Sequence, residues 1–261
     1  MNSLQNRVAL VGGASQGLGA ACAHALAEDG ATVIVYARTE EKLKNIVKSL
    51  PTQYHQEHSY VLIDTNNLAA SKKTIIQLLE KVKTIHLVIN NTGGPAAGLM
   101  YETSIEALQV SFDAHLLHAH QLVQLLLPGM REANFGRIIN LLSISVKEPI
   151  DDLGVSNTIR AGVANWAKTL SRELGQWGIT VNNVLTGFTK TERLDYLFKN
   201  RAEKAGVSKE EILKNIENSI PVKRLGEPAE IAAAVCFLCS DAAGFINGIN
   251  LPIDGGQARS L

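Results

Sequence analysis

Three groups of residues in this chain have the types and spacing to do chemistry. The first is Gly13-Ala-Ser15-Gln16-Gly17-Leu18-Gly19, which follows an apolar run ending at Gly12 and opens a helix of small residues. Gly13 permits a tight turn, Gly17 lets a pyrophosphate approach the backbone, and Gly19 lets the helix pack on the strand. The free N–H groups of the helix start attract phosphate. The second group is Asp113-Ala-His115-Leu-Leu-His118-Ala-His120. Histidine is the side chain whose ordinary pKa suits proton transfer near neutrality, and His115 is the candidate. His115 and His118 stand three apart, but no carboxylate motif accompanies them, so no metal is expected. The third group is Cys236-Phe-Leu-Cys239. It sits in an apolar helix without a basic neighbour, so it reads as core cysteines rather than a redox or metal pair.

The elements that must position these residues alternate along the chain. Val/Ile/Leu-rich strand candidates occupy 7–12, 32–37, 60–64, 86–90, 137–143, 180–185 and 249–253, with helical segments at 17–29, 40–50, 69–81, 104–131, 156–177 and 229–238. Apolar strands alternating with helices predict one α/β domain over 1–261, a Rossmann-type, doubly wound parallel sheet with helices on both faces. Ligands of such a sheet bind beyond the carboxyl ends of its strands, where strand order reverses. One connection, 189–220, is too long for a loop and carries the capping signal Ser208-Lys-Glu-Glu211, which predicts a helical lid over the site or a surface used in subunit contact. Lysine plus arginine matches aspartate plus glutamate at 25 each, which argues against nucleic acid or an anionic membrane as partner. No apolar run reaches membrane-spanning length, and the opening Met1–Arg7 lacks the basic start and apolar core of a signal peptide, so a cytoplasmic location is expected.

Taken together, these stretches resemble the short-chain dehydrogenase/reductase family over essentially the whole chain. The glycine loop is similar to its T-G-x-x-x-G-x-G, with Gly12 in the threonine's place. Asn90-Asn91-Thr92-Gly93 is similar to its N-N-A-G, and Gly136–Ser143 to its fifth strand ending in a catalytic serine. Thr186-Gly187-Phe-Thr189-Lys-Thr191 is similar to its P-G-x-x-x-T. Within the family the β-ketoacyl carrier-protein reductases are the most similar branch. The resemblance implies a nicotinamide dinucleotide held by Gly13, Ser15, Gln16, Gly17, Leu18, Gly19, Asp64, Asn91, Thr92, Gly93, Arg160, Gly187, Thr189 and Thr191. It also implies a homotetramer using the 104–131 and 156–177 helices and the last strand. Ala37 stands where NAD-preferring relatives carry a carboxylate, and Arg38 follows, so NADP is expected over NAD through bidentate contact with the 2′-phosphate.

The catalytic half departs from that pattern. Ser143 is present, but counting onward places Ser156 at the family's tyrosine and Arg160 at its lysine, and counting back places His115 at its asparagine. No tyrosine occurs between Tyr101 and Tyr196, the two phenols nearest in sequence that might approach the site. An aliphatic hydroxyl is too weak an acid to replace a tuned phenol, whereas Arg160 stays charged and suits a developing alkoxide. The expected function is NADP(H)-dependent reduction of a 3-oxoacyl or related ketone, or the reverse oxidation, with the proton supplied by a relay. The alternatives are a dinucleotide-binding protein without hydride chemistry, serving as sensor or inactive partner subunit, and a dehydratase or isomerase using the same cavity. The substrate is expected to be a small molecule or acyl thioester.

Overall fold

A computed structural model of the protein describes residues 4–260. The first three residues of the opening segment and Leu261 lie outside them. Seven parallel strands form one sheet: β1 (Val8–Gly12), β2 (Thr32–Ala37), β3 (Ser59–Leu62), β4 (Leu87–Asn90), β5 (Gly136–Ser143), β6 (Ile179–Thr186) and β7 (Asn250–Ile253). Their spatial order is β3-β2-β1-β4-β5-β6-β7, so chain direction across the sheet reverses between β1 and β4. The expected architecture is present, with strand ends differing by one or two residues; Ile63 and Asp64 fall just beyond β3.

Both sheet faces are covered. Helices α1 (Gly17–Glu28), α2 (Glu40–Ser49) and α9 (Pro228–Cys239) bury Cys22, Leu26, Leu43, Ile231 and Val235 against Val11, Val35 and Ile89. Helices α3 (Leu68–Val82), α5 (His118–Glu132) and α6 (Gly154–Leu174) bury Ile75, Leu122, Leu126 and Leu170 against Leu10, Ile34 and Ile138. Successive strand residues serve opposite faces, which explains why the strands read as continuous apolar runs. Burial pushes the Cys22 thiol up to about 12 and the Cys239 thiol well above its ordinary value, as fits core cysteines.

The helix expected at 104–131 is interrupted. After α4 (Ile105–Phe112) the backbone widens into a π turn at Asp113–Leu117 before α5 resumes the α form. The π turn carries His115, and an apolar periodicity cannot reveal such a turn. The 189–220 excursion folds into α7 (Glu192–Ala205) and α8 (Lys209–Ser219), which share an apolar cluster of Leu194, Phe198, Ile220 and Leu225. At α8 Ser208 Oγ accepts from Glu211 N at 3.1 Å. A carboxylate reaching back to its N-cap occurs at α9, where Glu227 N donates to Glu230 at 2.8 Å.

The strands are not purely apolar either. Asn90 Nδ2 donates to Asn140 Oδ1 at 2.8 Å, Asn140 to Asn183 at 2.8 Å, and Asn183 to Asn250 at 2.7 Å. This amide ladder crosses β4 to β7 at one level of the sheet. Asn140 is almost fully buried. Replacing it with alanine orphans a donor on Asn90 and an acceptor on Asn183, each costing about 1–3 kcal/mol. Chemical denaturation of Asn140→Ala should therefore show a loss of about 2–4 kcal/mol. A loss under about 1 kcal/mol would mean that water rescues both neighbours.

Candidate active site

A cleft of about 750 Å³ opens at the carboxyl ends of the strands, where their order reverses. Its floor begins at the glycine loop. Gly13 and Gly17 have φ of +57° and +59°, which L side chains rarely adopt. A Cβ on Gly19 would lie 2.5 Å from the Gly13 carbonyl oxygen, so only glycine lets α1 start this close to the loop. Asn91 Nδ2 donates to Gly12 O at 3.1 Å, tying the β4 exit to the β1 exit. A Cβ on Gly12 would lie 2.4 Å from the Tyr36 hydroxyl. The tyrosine fills the space a threonine side chain would need, so Gly12 and Tyr36 occur as a pair.

Every expected dinucleotide residue except Gly19 lines this cleft: Ser15, Gln16, Leu18, Arg38, Asp64, Thr92, Gly93, Gly187, Thr189 and Thr191 accompany those already named. Gly19 lies behind it as helix packing. Lys42, in the first turn of α2, also lines the rim and donates to Gln16 Oε1 at 2.6 Å. Its place at the start of the helix that follows β2 and Arg38 is the sequence signal that could have found it. Thr191 caps α7 by accepting from Leu194 N at 3.2 Å, and Thr189 Oγ1 donates to Gly187 O at 3.2 Å.

Ser143, Ser156, Arg160 and His115 come together in the inner half of the same cleft. Ser143 Oγ accepts from Ser145 N at 3.1 Å, which leaves its proton free to point into the cleft. Arg160 donates from Nε to Ser156 Oγ at 3.1 Å and from Nη1 to Leu141 O at 3.1 Å. Burial, and then the charge of Arg193, lowers Arg160 to about 10, so it remains a cation at neutral pH. His115 behaves differently from the expectation for an acid near neutrality. Burial, then the Arg160 charge, pushes it down to about 3 despite a hydrogen bond to the Gly93 backbone, so its imidazole is neutral. Neither Tyr101 nor Tyr196 reaches the cleft; they are 83% and 56% exposed, respectively. The one tyrosine among the lining residues is Tyr36, a buried phenol whose pKa burial raises.

From the 189–220 excursion, Thr191, Glu192, Arg193, Leu194 and Leu197, at the N-cap and first two turns of α7, face the cleft. Arg193, which the sequence reading passed over, donates to Pro95 O at 2.7 Å and bridges α7 to the loop after β4. That loop lines the cleft through Gly93, Gly94 and Pro95, and Gly98 N donates to Asp152 O at 2.7 Å near the start of α6.

This geometry fits a dinucleotide by its own features: a cradle that added Cβ atoms would fill, and two cations at the rim beyond β2. Comparisons with known proteins agree. A family model described as enoyl-(acyl carrier protein) reductase matches residues 13–258. The NADPH-dependent reductase BacG of Bacillus subtilis is 28% identical, over 99% of this chain and 100% of that protein. The 3-oxoacyl-[acyl-carrier-protein] reductase FabG of Haemophilus influenzae is 34% identical, over 97% and 98%. Among solved structures, L-sorbose reductase from Gluconobacter frateurii, complexed with NADPH and L-sorbose, superimposes with a TM-score of 0.93 at 26% identity, covering 100% of both chains.

Two outcomes follow from these features. Arg38→Asp should weaken NADPH binding far more than NADH binding in calorimetric titration, and Lys42→Ala should do so less strongly, if these two rim cations read a 2′-phosphate. Equal losses for the two dinucleotides would remove that role. The second concerns acid stability. His115 and His118 titrate at about 3 and about 4 in the folded protein, below the ordinary histidine value. The unfolded chain therefore takes up protons first, and stability is level above about pH 6.5 and declines toward pH 4. Burial lowers His86 as well, and His115→Asn should remove one histidine's share of the slope, at most about 1.4 kcal/mol per pH unit, in denaturant titrations.

Proposed function

Because the chain belongs to the short-chain dehydrogenase/reductase family, in its ketoacyl-reductase branch, we propose that it is an NADPH-dependent carbonyl reductase without a tyrosine acid. The observation that carries this reading is the gathering of Ser143, Ser156, Arg160 and His115 in one cleft with the glycine cradle. The dinucleotide, when bound, supplies hydride. Gly13, Gly17 and the α1 N-terminus hold its phosphates, and Arg38 with Lys42 reads the 2′-phosphate. Thr189 and Thr191 border the nicotinamide end.

Ser143 donates to the carbonyl oxygen and fixes its direction. Ser156, whose oxygen already accepts from Arg160, turns its own hydroxyl proton toward the cleft. The Arg160 cation stabilises the alkoxide as it forms, a charge-stabilising role in place of the phenol's proton donation. The proton then arrives from water through the serine hydroxyls, with neutral His115 able to pass one along by accepting and donating together. The substrate class is a ketone of the 3-oxoacyl type or a close relative. The three cysteines are free, which suits the reducing cytoplasm. Among the described residues no helix is long and apolar enough to cross a membrane. A homotetramer fits the unpaired outer edge of β7 and the exposed Ile105 and Phe245, and sedimentation at micromolar concentration should show it.

Purified protein should consume NADPH with members of a panel of β-keto thioesters, diketones and ketoses. Flat absorbance beside tight NADPH binding would instead favour a binding protein without hydride chemistry, the reading that Ser156 and Arg160 otherwise support. Restoring Ser156→Tyr, Arg160→Lys and His115→Asn together should raise turnover of a generic ketone, because the ammonium would lower the pKa of the introduced phenol. If restoration abolishes an activity the natural chain possesses, Ser156 and Arg160 belong to a distinct mechanism.

A further inference from the structure

The inner cleft carries more positive charge than carbonyl reduction requires. Arg160 comes from α6 and Arg193 from α7, yet their Nη2 atoms lie 3.8 and 3.5 Å from the point a Cβ on Gly94 would occupy. Arg160 spends Nε and Nη1 on Ser156 and Leu141, which leaves Nη2 for the cleft. Arg193 is anchored by the Pro95 carbonyl, a neutral partner. Neither guanidinium appears in an ion pair among the described residues. In the same excursion Lys190, Lys199 and Lys209 each meet a carboxylate. Glu192 lines the cleft but pairs with neither arginine. Arg193 also sits in the first turn of the 14-residue α7, where a cation opposes the helix dipole. Two like charges, one largely enclosed, at a positive helix end form an arrangement that an anion would relieve. Gly94, without a side chain, leaves the space between them open.

We propose that Arg160 and Arg193 clamp a carboxylate around Gly94, and that the substrate is therefore an oxo acid whose ketone faces Ser143. The inference deepens the reductase reading and rests on it for the chemistry. Hydride from the reduced dinucleotide bonds to the carbonyl carbon, the C=O π electrons move to oxygen, and a solvent proton joins that oxygen. The products are a hydroxy acid with its carboxylate unchanged and the oxidised dinucleotide. Among 3-oxoacyl ketones and their relatives, an ester or thioester leaves both cations unmatched, so the free acid is the preferred member. The other source of anionic oxygens for the clamp is the dinucleotide's own diphosphate, and the test separates the two.

The full chain, its Arg193→Met variant and its Gly94→Ala variant are compared. The added methyl of Gly94→Ala meets both guanidiniums at ordinary contact distance, so it fills the space without straining the fold. Probes are 2-oxohexanoate and acetoacetate, each beside its methyl ester, at saturating NADPH. The natural chain should show kcat/KM at least about tenfold higher for acid than for ester, and both variants should bring the ratio near one. Dissociation constants for NADPH, measured separately by calorimetry, should stay within about twofold. An ester used as well as its acid would overturn the clamp. So would Arg193→Met weakening NADPH tenfold while the acid preference survives, which assigns the pair to the diphosphate. If nothing is turned over, titration of 2-oxohexanoate into the NADP⁺-saturated protein decides. Binding that both variants lose upholds the clamp and overturns the reductase reading, and no binding overturns the clamp.

Discussion

The structure depends on the gap that opens where β1 and β4 lie side by side but their connections run opposite ways. A parallel sheet whose chain order reverses must leave its two central carboxyl ends uncovered. Here that gap is held to shape by Asn91, whose amide donates to the Gly12 carbonyl, and by the start of α1 pressed against Gly13. Loosening either contact would move the phosphate cradle and the wall of the inner cleft together, because the Asn91–Pro95 segment belongs to both. The asparagine ladder behind the gap extends the same constraint from β4 to β7.

The second organising feature is electrostatic. We propose that Ser156 and Arg160 stand in for the family's tyrosine and lysine, and a guanidinium cannot readily deprotonate. Arg160 then governs its neighbours: it orients Ser156 by donating from Nε to the hydroxyl oxygen, and its charge, after burial, helps keep His115 neutral. These effects exclude an imidazolium from the site, and the one phenol lining the cleft, Tyr36, is buried with a raised pKa. What remains is a set of hydroxyls beside fixed positive charge, a site better suited to stabilising an anion than to donating a proton. The Arg193 contact with Pro95 brings a second guanidinium to the same place and links the excursion to the pocket wall.

The sequence by itself determined the sheet, because apolar runs of strand length separated by helices admit few other arrangements. It also determined the dinucleotide cradle, since glycines at 13, 17 and 19 between a strand and a helix answer a backbone demand that is local. Ser143, Ser156, Arg160 and His115 were legible by counting along elements whose ends were clear. Tertiary structure decided what those residues can do. The pKa of His115 is set by burial and by Arg160, 45 positions away in the chain. The π turn that carries it breaks a periodicity that reads as one continuous helix. Tyr36 opposite Gly12, and Arg193 opposite Gly94, depend on pairings between distant segments. Tyr101 and Tyr196 were sequence candidates that the fold sends to the surface. Local backbone requirements are written in neighbouring residues, whereas charge, burial and the meeting of side chains from different elements exist only once the chain has closed on itself.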